Sequence, residues 1–520
     1  MSRAAKIARR SFLIGSAAVA GGVAFGVVAY RRPHDNPLLK GLPPGEAALT
    51  PYVLVKPDGL TLITPRTDLG QGAYHLQAAL IAEELDVTLD QVTVDPGPPD
   101  PAYYNTALSA DAVPFPATDG GFLAETARAV MDAPMKFMGI QITGGSTTVP
   151  DGWEKLRHAG AVARETLKAA AESQTGTPRA SMSTENGAVI LPDGTRLPYT
   201  DLASVAAGIA PVTDITLRPP ADWRLIGTDM QRLDIRPKST GTQGYGIDLQ
   251  LEGMLYAAVR TNPRQGGAML SHDATRARAL RGVHDIVPIT GGIGVLADNT
   301  WRAMQAVQAI RIDWGPAPFP PEMDAHWQTL SDSFTDDRID SRNRDDGDVD
   351  TALARTAQIT AEYRAPYLSH APLEPVNATV RVTPDRVDVW TATQIPRFVQ
   401  AHVARITGHD RADVHVHVLM AGGSFGHRLE DLVVRQAAEL AVTVPGRPVK
   451  LTLSREEDMA HDYPRQIAMA RGRGAVSGGR VVACDLGIAM PSVLASQMGR
   501  LGLPAIGPDL QIVAGAWGQP

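Results

Sequence analysis

The stretch Val418-Leu419-Met420-Ala421-Gly422-Gly423-Ser424-Phe425-Gly426-His427-Arg428 limits what this chain can fold into more than any other. Before it, residues 414–419 alternate as a strand does; after it, residues 429–440 carry the apolar spacing of a helix. Glycines at such a junction let a backbone approach a partner that side chains would exclude. Phe425 sits in the middle of the turn, where its ring can form a wall. A single turn of this kind is most often structural, so its weight comes from its company. Three other turns lie at or near strand-to-helix junctions: Leu69-Gly70-Gln71-Gly72, Thr143-Gly144-Gly145-Ser146-Thr147-Thr148 and Thr393-Gln394. Backbone N–H groups near helix N-termini suit phosphates and other electron-rich groups. The amides of Gln71 and Gln394 add donors without adding charge. A large anionic cofactor needs donors from several segments, and these four turns could supply them.

Size and composition narrow the class. At 520 residues the chain exceeds a single core and predicts two or three domains. Its 44% hydrophobic and 20% charged residues are those of a globular protein, with a net charge of −7 and no basic stripe. Nucleic acid is therefore an unfavourable partner. A lone cysteine, Cys484, rules out an intrachain disulfide and an iron–sulfur cluster held by this chain, which takes about four cysteines. Redox chemistry here needs a bound cofactor and a second polypeptide to accept electrons. Cys484 falls in an expected strand and reads as buried and inert.

The N-terminus reads as an address. Arg9-Arg10-Ser11-Phe12-Leu13 opens a weakly apolar, Gly- and Ala-rich run, the layout of a twin-arginine export signal. Residues 12–30 are also just long enough to cross a bilayer, so an uncleaved anchor is the alternative. The expectation is a periplasmic protein exported folded, anchored by its N-terminus if the signal is not removed.

Along the rest of the chain the elements alternate irregularly, which is an α+β pattern. The division expected is a signal or anchor at 1–32, a linker at 33–50, a first segment at 51–222, a compact α+β unit at 223–315, a charged linker at 316–350 and a last domain at 351–520. Hairpins are expected at 52–64 and 378–392, and helices at 74–85, 151–173, 272–280 and 397–407. Gly160 weakens the second of these helices but lets a neighbour pack closely.

Other polar groups have bland readings. Glu83 and Glu84 look like the solvated end of a helix. His415 and His417 look like surface histidines on an edge strand. His370 and Glu374 could form an acid/base pair or a structural salt link. Nucleotide-binding glycine fingerprints, Walker loops, serine-nucleophile elbows and zinc-protease motifs are absent from the sequence.

In their order and context the four turns resemble the molybdopterin-binding large subunit of the xanthine oxidase family, most of all the isoquinoline 1-oxidoreductase type. The Gly70-Gln71-Gly72, Thr393-Gln394 and Gly422-to-Gly426 turns each match a family turn, and 224–314 resembles its aldehyde-oxidase a/b hammerhead unit. The resemblance implies a multi-domain molybdopterin-binding fold. It also implies a molybdopterin cytosine dinucleotide cofactor, with Gly70, Gln71, Gly72, Gly145, Ser146, Thr147 and Thr148 holding the pterin. Gln394 would bond the apical oxo ligand of molybdenum, and Gly422, Gly423, Phe425 and Gly426 would lie beside the metal. The implied reaction oxidises an aldehyde or a C–H next to a ring nitrogen, with water as the oxygen source. Electrons would leave through a small [2Fe-2S] subunit to an acceptor such as a cytochrome. Some relatives place a substrate-contacting glutamate four residues after the phenylalanine. Leu429 stands there, which disfavours a purine substrate. Relatives continue past this chain's last residue to an arginine-containing turn and the general-base glutamate. Neither is present in 1–520, so the chain reads as a catalytic large subunit, or its N-terminal portion, truncated at the C-terminus. An inactive relative serving as a binding or assembly module is the alternative, and an exported solute-binding protein a third.

Overall fold

The computed structural model describes residues 30–500 except 31, 111, 112, 114, 116–118 and 343, together with 504 and 509. The expected export signal lies almost wholly outside them. Among the described residues no helix is long and apolar enough to cross a membrane. The architecture is mixed helix and sheet. It divides into two compact units, one built chiefly from residues up to Thr242 and the other from Thr67–Gln71 and the residues from Gln243 onward.

In the first unit β1 (Ala47–Thr50), β2 (Val53–Lys56), β3 (Gly59–Ile63) and β4 (Val92–Asp95) form a sheet in that order, the first three antiparallel and β4 parallel to β3. The turn Lys56-Pro57-Asp58-Gly59 closes the expected hairpin. Helix α1 (Ala73–Leu85) supplies the crossover between β3 and β4, and α2 (Thr148–Thr175) packs along it. Gly160 is what lets the two meet, because a Cβ there would come 2.3 Å from the Ile81 carbonyl oxygen. Leu80, Ile81, Leu85, Leu167 and Tyr199 are among the largest side chains in this core.

The solvated-end reading of Glu83 and Glu84 is wrong, since both are buried, at 1% and 0% exposure. Glu84 pairs with Arg157 at 2.7 Å and takes the Arg218 backbone N–H, while Glu83 takes the N–H groups of Arg224, Leu225 and Ile226. Charges buried to this extent persist only when paired and hydrogen-bonded. Here they tie residues 218–226 to the end of α1.

The second unit contains β5 (Leu255–Thr261), β6 (Met269–Asp273), β7 (Val283–Ile289), β8 (Gly292–Ala297), β9 (Arg311–Trp314), β10 (Gln358–Ala365), β11 (Asn377–Thr383), β12 (Arg386–Thr391), β13 (Val414–Val418), β14 (Val449–Thr452), β15 (Ala468–Ser477) and β16 (Arg480–Ala489). Seven of them form one sheet in the order β7-β8-β5-β14-β11-β12-β13. Its strands come from both sides of the charged segment 316–350, within which Met323–Ser331 is helical and buries Leu330. Helices Pro396–Thr407 and Leu432–Val442 follow β12 and the glycine turn after β13. The helix expected at 272–280 is only partly there. Residues through Asp273 pair as β6 with β9, and only Thr275–Arg278 is helical. Cys484 is exposed rather than buried, because it lies on β16, the outer strand of the sheet β10-β15-β16.

Candidate functional site

Strands β12 and β13 run parallel and adjacent, with Thr391 opposite Val418. Their carboxyl ends therefore emerge side by side, which is where open sheets with helical crossovers place their ligand sites. Thr393-Gln394 leaves one end and Ala421 to Gly426 leaves the other. Two hydrogen bonds join them. The Gln394 N–H donates to the Arg428 carbonyl at 2.9 Å, and Ser424 Oγ donates to Gln394 Oε1 at 2.6 Å. Thr67 Oγ1 donates to the Thr393 carbonyl at 2.6 Å, which brings the segment bearing Gly70 and Gln71 to the same place. Three of the four expected turns thus converge in one unit. Gln71 is folded into its own turn, its Oε1 taking the Leu69 N–H and its Nε2 donating to the Thr67 carbonyl.

The glycine turn is built around a buried ion pair. Arg428 Nη2 donates to Glu374 Oε2 at 2.8 Å, with the two side chains 2% and 4% exposed. Glu374 also accepts from the backbone of Gly422 at 2.9 Å and Ile247 at 3.2 Å, and from Asn377 Nδ2 at 3.0 Å. A Cβ on Gly422 would lie 2.4 Å from the Glu374 Cβ, so only glycine fits. Gly423 and Gly426 have φ of +97° and +105°. Phe425 has φ +56° and stands 75% exposed. A bulky residue in left-handed backbone is strained by about 1–3 kcal/mol and persists only where its surroundings impose it. Ser424, fully buried, imposes it by accepting the N–H groups of Gly426 and Arg428 on its hydroxyl.

The Thr143 to Thr148 turn lies in the first unit, at the head of the 28-residue helix α2. Gly145 and Ser146 both have positive φ, 60° and 56°. Thr147 is buried between Asn105 and the Gly144 carbonyl. Asp151 in the first helical turn pairs with Arg66 at 2.5 Å and Lys155 at 2.8 Å. Burial holds the Lys155 ammonium down to about 8, with Asp151 opposing and Arg66 reinforcing. Gly72, at φ +92°, precedes α1 in the same unit.

His370 and Glu374 do not pair with each other. Glu374 serves Arg428, whereas His370 bonds Asp462 through Nδ1 at 2.7 Å. Neither reading of the His370–Glu374 pair therefore holds, because each side chain has a different partner. His415 and His417 lie on the edge strand β13, where His417 bonds Asp388 at 2.9 Å and stacks on Trp390. His427 is 8% exposed, and burial lowers its imidazole to about 4, with Asp462 opposing and His370 and Arg428 reinforcing. A small cavity lined by Thr393, His427, Arg428, Glu457, Asp458 and His461 adjoins it. Ser424, Arg428 and Asp462 were missed as working residues. Only the buried charge hidden inside the Gly-rich stretch could have flagged Arg428.

The arrangement fits a bound group at the turn. Arg428 and Glu374 cancel each other's charge, Ser424 and Gln394 lock the two strand exits, and the Phe425 ring is held outward with no core contact to explain it. Residues 332–499 match the family model of the molybdopterin cofactor-binding domain. The chain is 28% identical to the beta subunit of isoquinoline 1-oxidoreductase from Brevundimonas diminuta, over 91% of this chain and 62% of that protein. It is 28% identical to a nicotinate dehydrogenase subunit of Pseudomonas putida, over 92% and 38% of the two chains. A membrane-bound aldehyde dehydrogenase (pyrroloquinoline-quinone) of Gluconacetobacter polyoxogenes matches at 27% over 92% and 60%. The chain thus spans between about two-fifths and three-fifths of these relatives. Among solved structures, quinoline 2-oxidoreductase from Pseudomonas putida 86 aligns over 50% of this chain and 39% of its own with TM-score 0.41 and 21% identity. Aldehyde oxidoreductase from Desulfovibrio gigas aligns over 58% and 39% with TM-score 0.41 and 19% identity. Residues 332–499 thus carry a molybdopterin cofactor-binding domain, and most of the chain is similar to subunits of these oxidoreductases.

Proposed function

We propose that this chain carries part or all of the catalytic large subunit of a molybdenum hydroxylase that oxidises an aldehyde or an N-heteroaromatic ring. The observation that carries the reading is the convergence of Gly70, Gln71, Gln394 and the Gly422-to-Gly426 turn at the carboxyl ends of β12 and β13, inside the unit that holds the cofactor-domain match. When bound, the molybdenum centre supplies two-electron oxidation of a C–H bond with water as the oxygen source. The chain's own residues do the holding. Gln394 presents a neutral amide whose position Ser424 fixes, so it can meet an oxo group without adding charge. Phe425 offers an apolar wall, and the Gly422, Gly423 and Gly426 backbone allows close approach. Gly145, Ser146, Thr147 and Thr148 would hold the pterin at the head of α2, as Gly70, Gln71 and Gly72 would at the head of α1.

The finer reading assigns molybdopterin cytosine dinucleotide as cofactor and a small [2Fe-2S] subunit as electron acceptor, passing electrons to a cytochrome. It assigns 223–315 to a hammerhead unit between molybdopterin-binding segments at 51–222 and 351–520, and 316–350 to a linker. It assigns Arg9-Arg10 to a twin-arginine signal and the protein to the periplasm. The cofactor, the small subunit and the hammerhead unit rest on the resemblance of the four turns, and the export signal on Arg9-Arg10-Ser11-Phe12-Leu13. The test is metal and nucleotide analysis of the chain purified after co-expression with its small subunit. About one molybdenum and one CMP released on hydrolysis per chain are expected. Folded protein with neither would defeat the proposal.

A further inference from the structure

His370, His427, Asp458 and Asp462 form a second polar cluster in this unit, behind the glycine turn. One ligand atom from each of His370, His427 and Asp462 lies within 4.8 Å of the other two. His427 Nε2 is 3.5 Å from Asp462 Oδ1, and His370 Nδ1 is 2.7 Å from the same oxygen. The two imidazoles are stacked with ring centroids 5.4 Å apart. Asp462 is 2% exposed and His427 8%, so this is not a patch of solvated surface acids.

Two buried atoms beside this cluster have no hydrogen-bond partner. They are His427 Nδ1 and Asp458 Oδ1, which face each other at 3.6 Å. Left as it stands, the pair is costly, because each atom has lost water without gaining a partner. The charges are also unbalanced. Asp458 and Asp462 face one arginine, Arg455, which bonds Asp458 Oδ2 at 2.8 Å, while Arg428 is committed to Glu374.

We propose that His370, His427 and Asp462 bind a divalent transition ion, zinc being the best match, with Asp458 as the carboxylate that orients His427. Ligand atoms about 2.0–2.2 Å from one tetrahedral ion stand roughly 3.4 Å apart, close to the 3.5 Å between His427 Nε2 and Asp462 Oδ1. Opening the 2.7 Å His370–Asp462 contact by about 0.7 Å admits the ion between them, with the imidazole proton moving to Nε2 of His370. Coordination through Nε2 fixes the His427 proton on Nδ1, and closing the 3.6 Å gap by about half an ångström lets Asp458 Oδ1 accept it. Both orphaned atoms are then satisfied by the carboxylate–histidine–metal arrangement common around zinc. Two nitrogens and a carboxylate favour zinc, cobalt or iron over magnesium, which takes oxygen ligands and near-octahedral geometry. Three protein ligands leave a fourth position for water or a substrate atom.

The test is titration of chelator-washed full-length protein with zinc chloride by calorimetry, and with cobalt chloride by visible absorption. One zinc per chain with a dissociation constant at or below about the micromolar range is expected, with magnesium chloride failing to compete. Cobalt should give the intense visible bands of a tetrahedral nitrogen–oxygen site. His427→Gln should weaken zinc binding at least ~30-fold, and Asp458→Asn by ~10-fold, the size seen when an orienting carboxylate is lost. His427→Gln keeps the Asp462 bonds to the His370 backbone, so it tests the site even if Asp462→Asn fails to fold. Running the titration on molybdenum-loaded and molybdenum-free protein should give the same stoichiometry, which separates this site from the proposed cofactor. Folded protein that binds neither zinc nor cobalt up to about millimolar, or a His427→Gln variant that binds as tightly as the parent, would overturn the assignment.

Discussion

Glu374→Gln is the sharpest test of how the glycine turn is held. The change is nearly isosteric, so packing is untouched, but it removes the counter-charge of a guanidinium only 2% exposed. It also replaces one acceptor oxygen with a donor in a site where Arg428 Nη2, Asn377 Nδ2 and the N–H groups of Gly422 and Ile247 all donate. At least one of those four is then left facing another donor. Breaking a buried pair from one side costs about 3–5 kcal/mol, because the surviving charge stays desolvated. Arg428→Met should cost a similar amount. Glu374→Gln combined with Arg428→Met should cost clearly less than the sum of the two, since no charge then remains. The assay is native-state hydrogen exchange at the amides of Leu432–Val442, the helix that follows the turn, across a urea series. A Glu374→Gln cost under ~1 kcal/mol, or strict additivity in the double variant, would refute the claim that this pair sets the turn.

Three other outcomes follow from the structure. Gly160→Ala should destabilise the first unit by ~1–3 kcal/mol or more, because the clash is with the backbone oxygen of Ile81 and cannot be relieved by a side-chain rotation; a melting temperature within 1 °C of the parent (on the order of 0.2–0.5 kcal/mol for a domain of this size) would contradict it. Lys155 titrates near 8 when folded against 10.5 ordinarily, so the unfolded chain binds more protons between those values and stability rises with pH across that window, by at most about 3 kcal/mol; in Lys155→Met, with Asp151 still paired to Arg66, urea midpoints should lose that rise. Gln394→Ala should slow turnover of the molybdenum-loaded protein at least ~10-fold while costing about 1 kcal/mol of stability, the worth of its bond from Ser424; unchanged turnover would remove Gln394 from the site.

Much of the local structure was legible in the sequence because it follows from short-range rules. The hairpin at Lys56-Pro57-Asp58-Gly59, the helix expected at 397–407 and the close approach at Gly160 all follow from turn chemistry, periodicity and glycine placement. What stayed hidden depends on contacts between residues far apart in the chain. Glu83 and Glu84 look solvated until residues 218–226 fold back over them. Asp462 lies 92 residues from its partner His370, and nothing near either signals the meeting. Arg428, just past the glycine turn, carries no sequence signal of its partner Glu374, 54 residues away. Cys484 was misread for a different reason, since strand alternation assigns a face but not which face is covered.

The pairing of β5 with β14 bears on how the chain is made. These parallel neighbours lie in the interior of the seven-stranded sheet, yet β5 ends at Thr261 and β14 begins at Val449. At a synthesis rate of about 5–20 residues per second, the antiparallel pair of β5 and β8, complete at Ala297, waits roughly 8–30 s for the strand that covers its open edge. An uncovered edge over that interval is a template for pairing with another nascent chain. The wait makes this edge, rather than the cofactor turn, the place where a chaperone would matter most during biosynthesis.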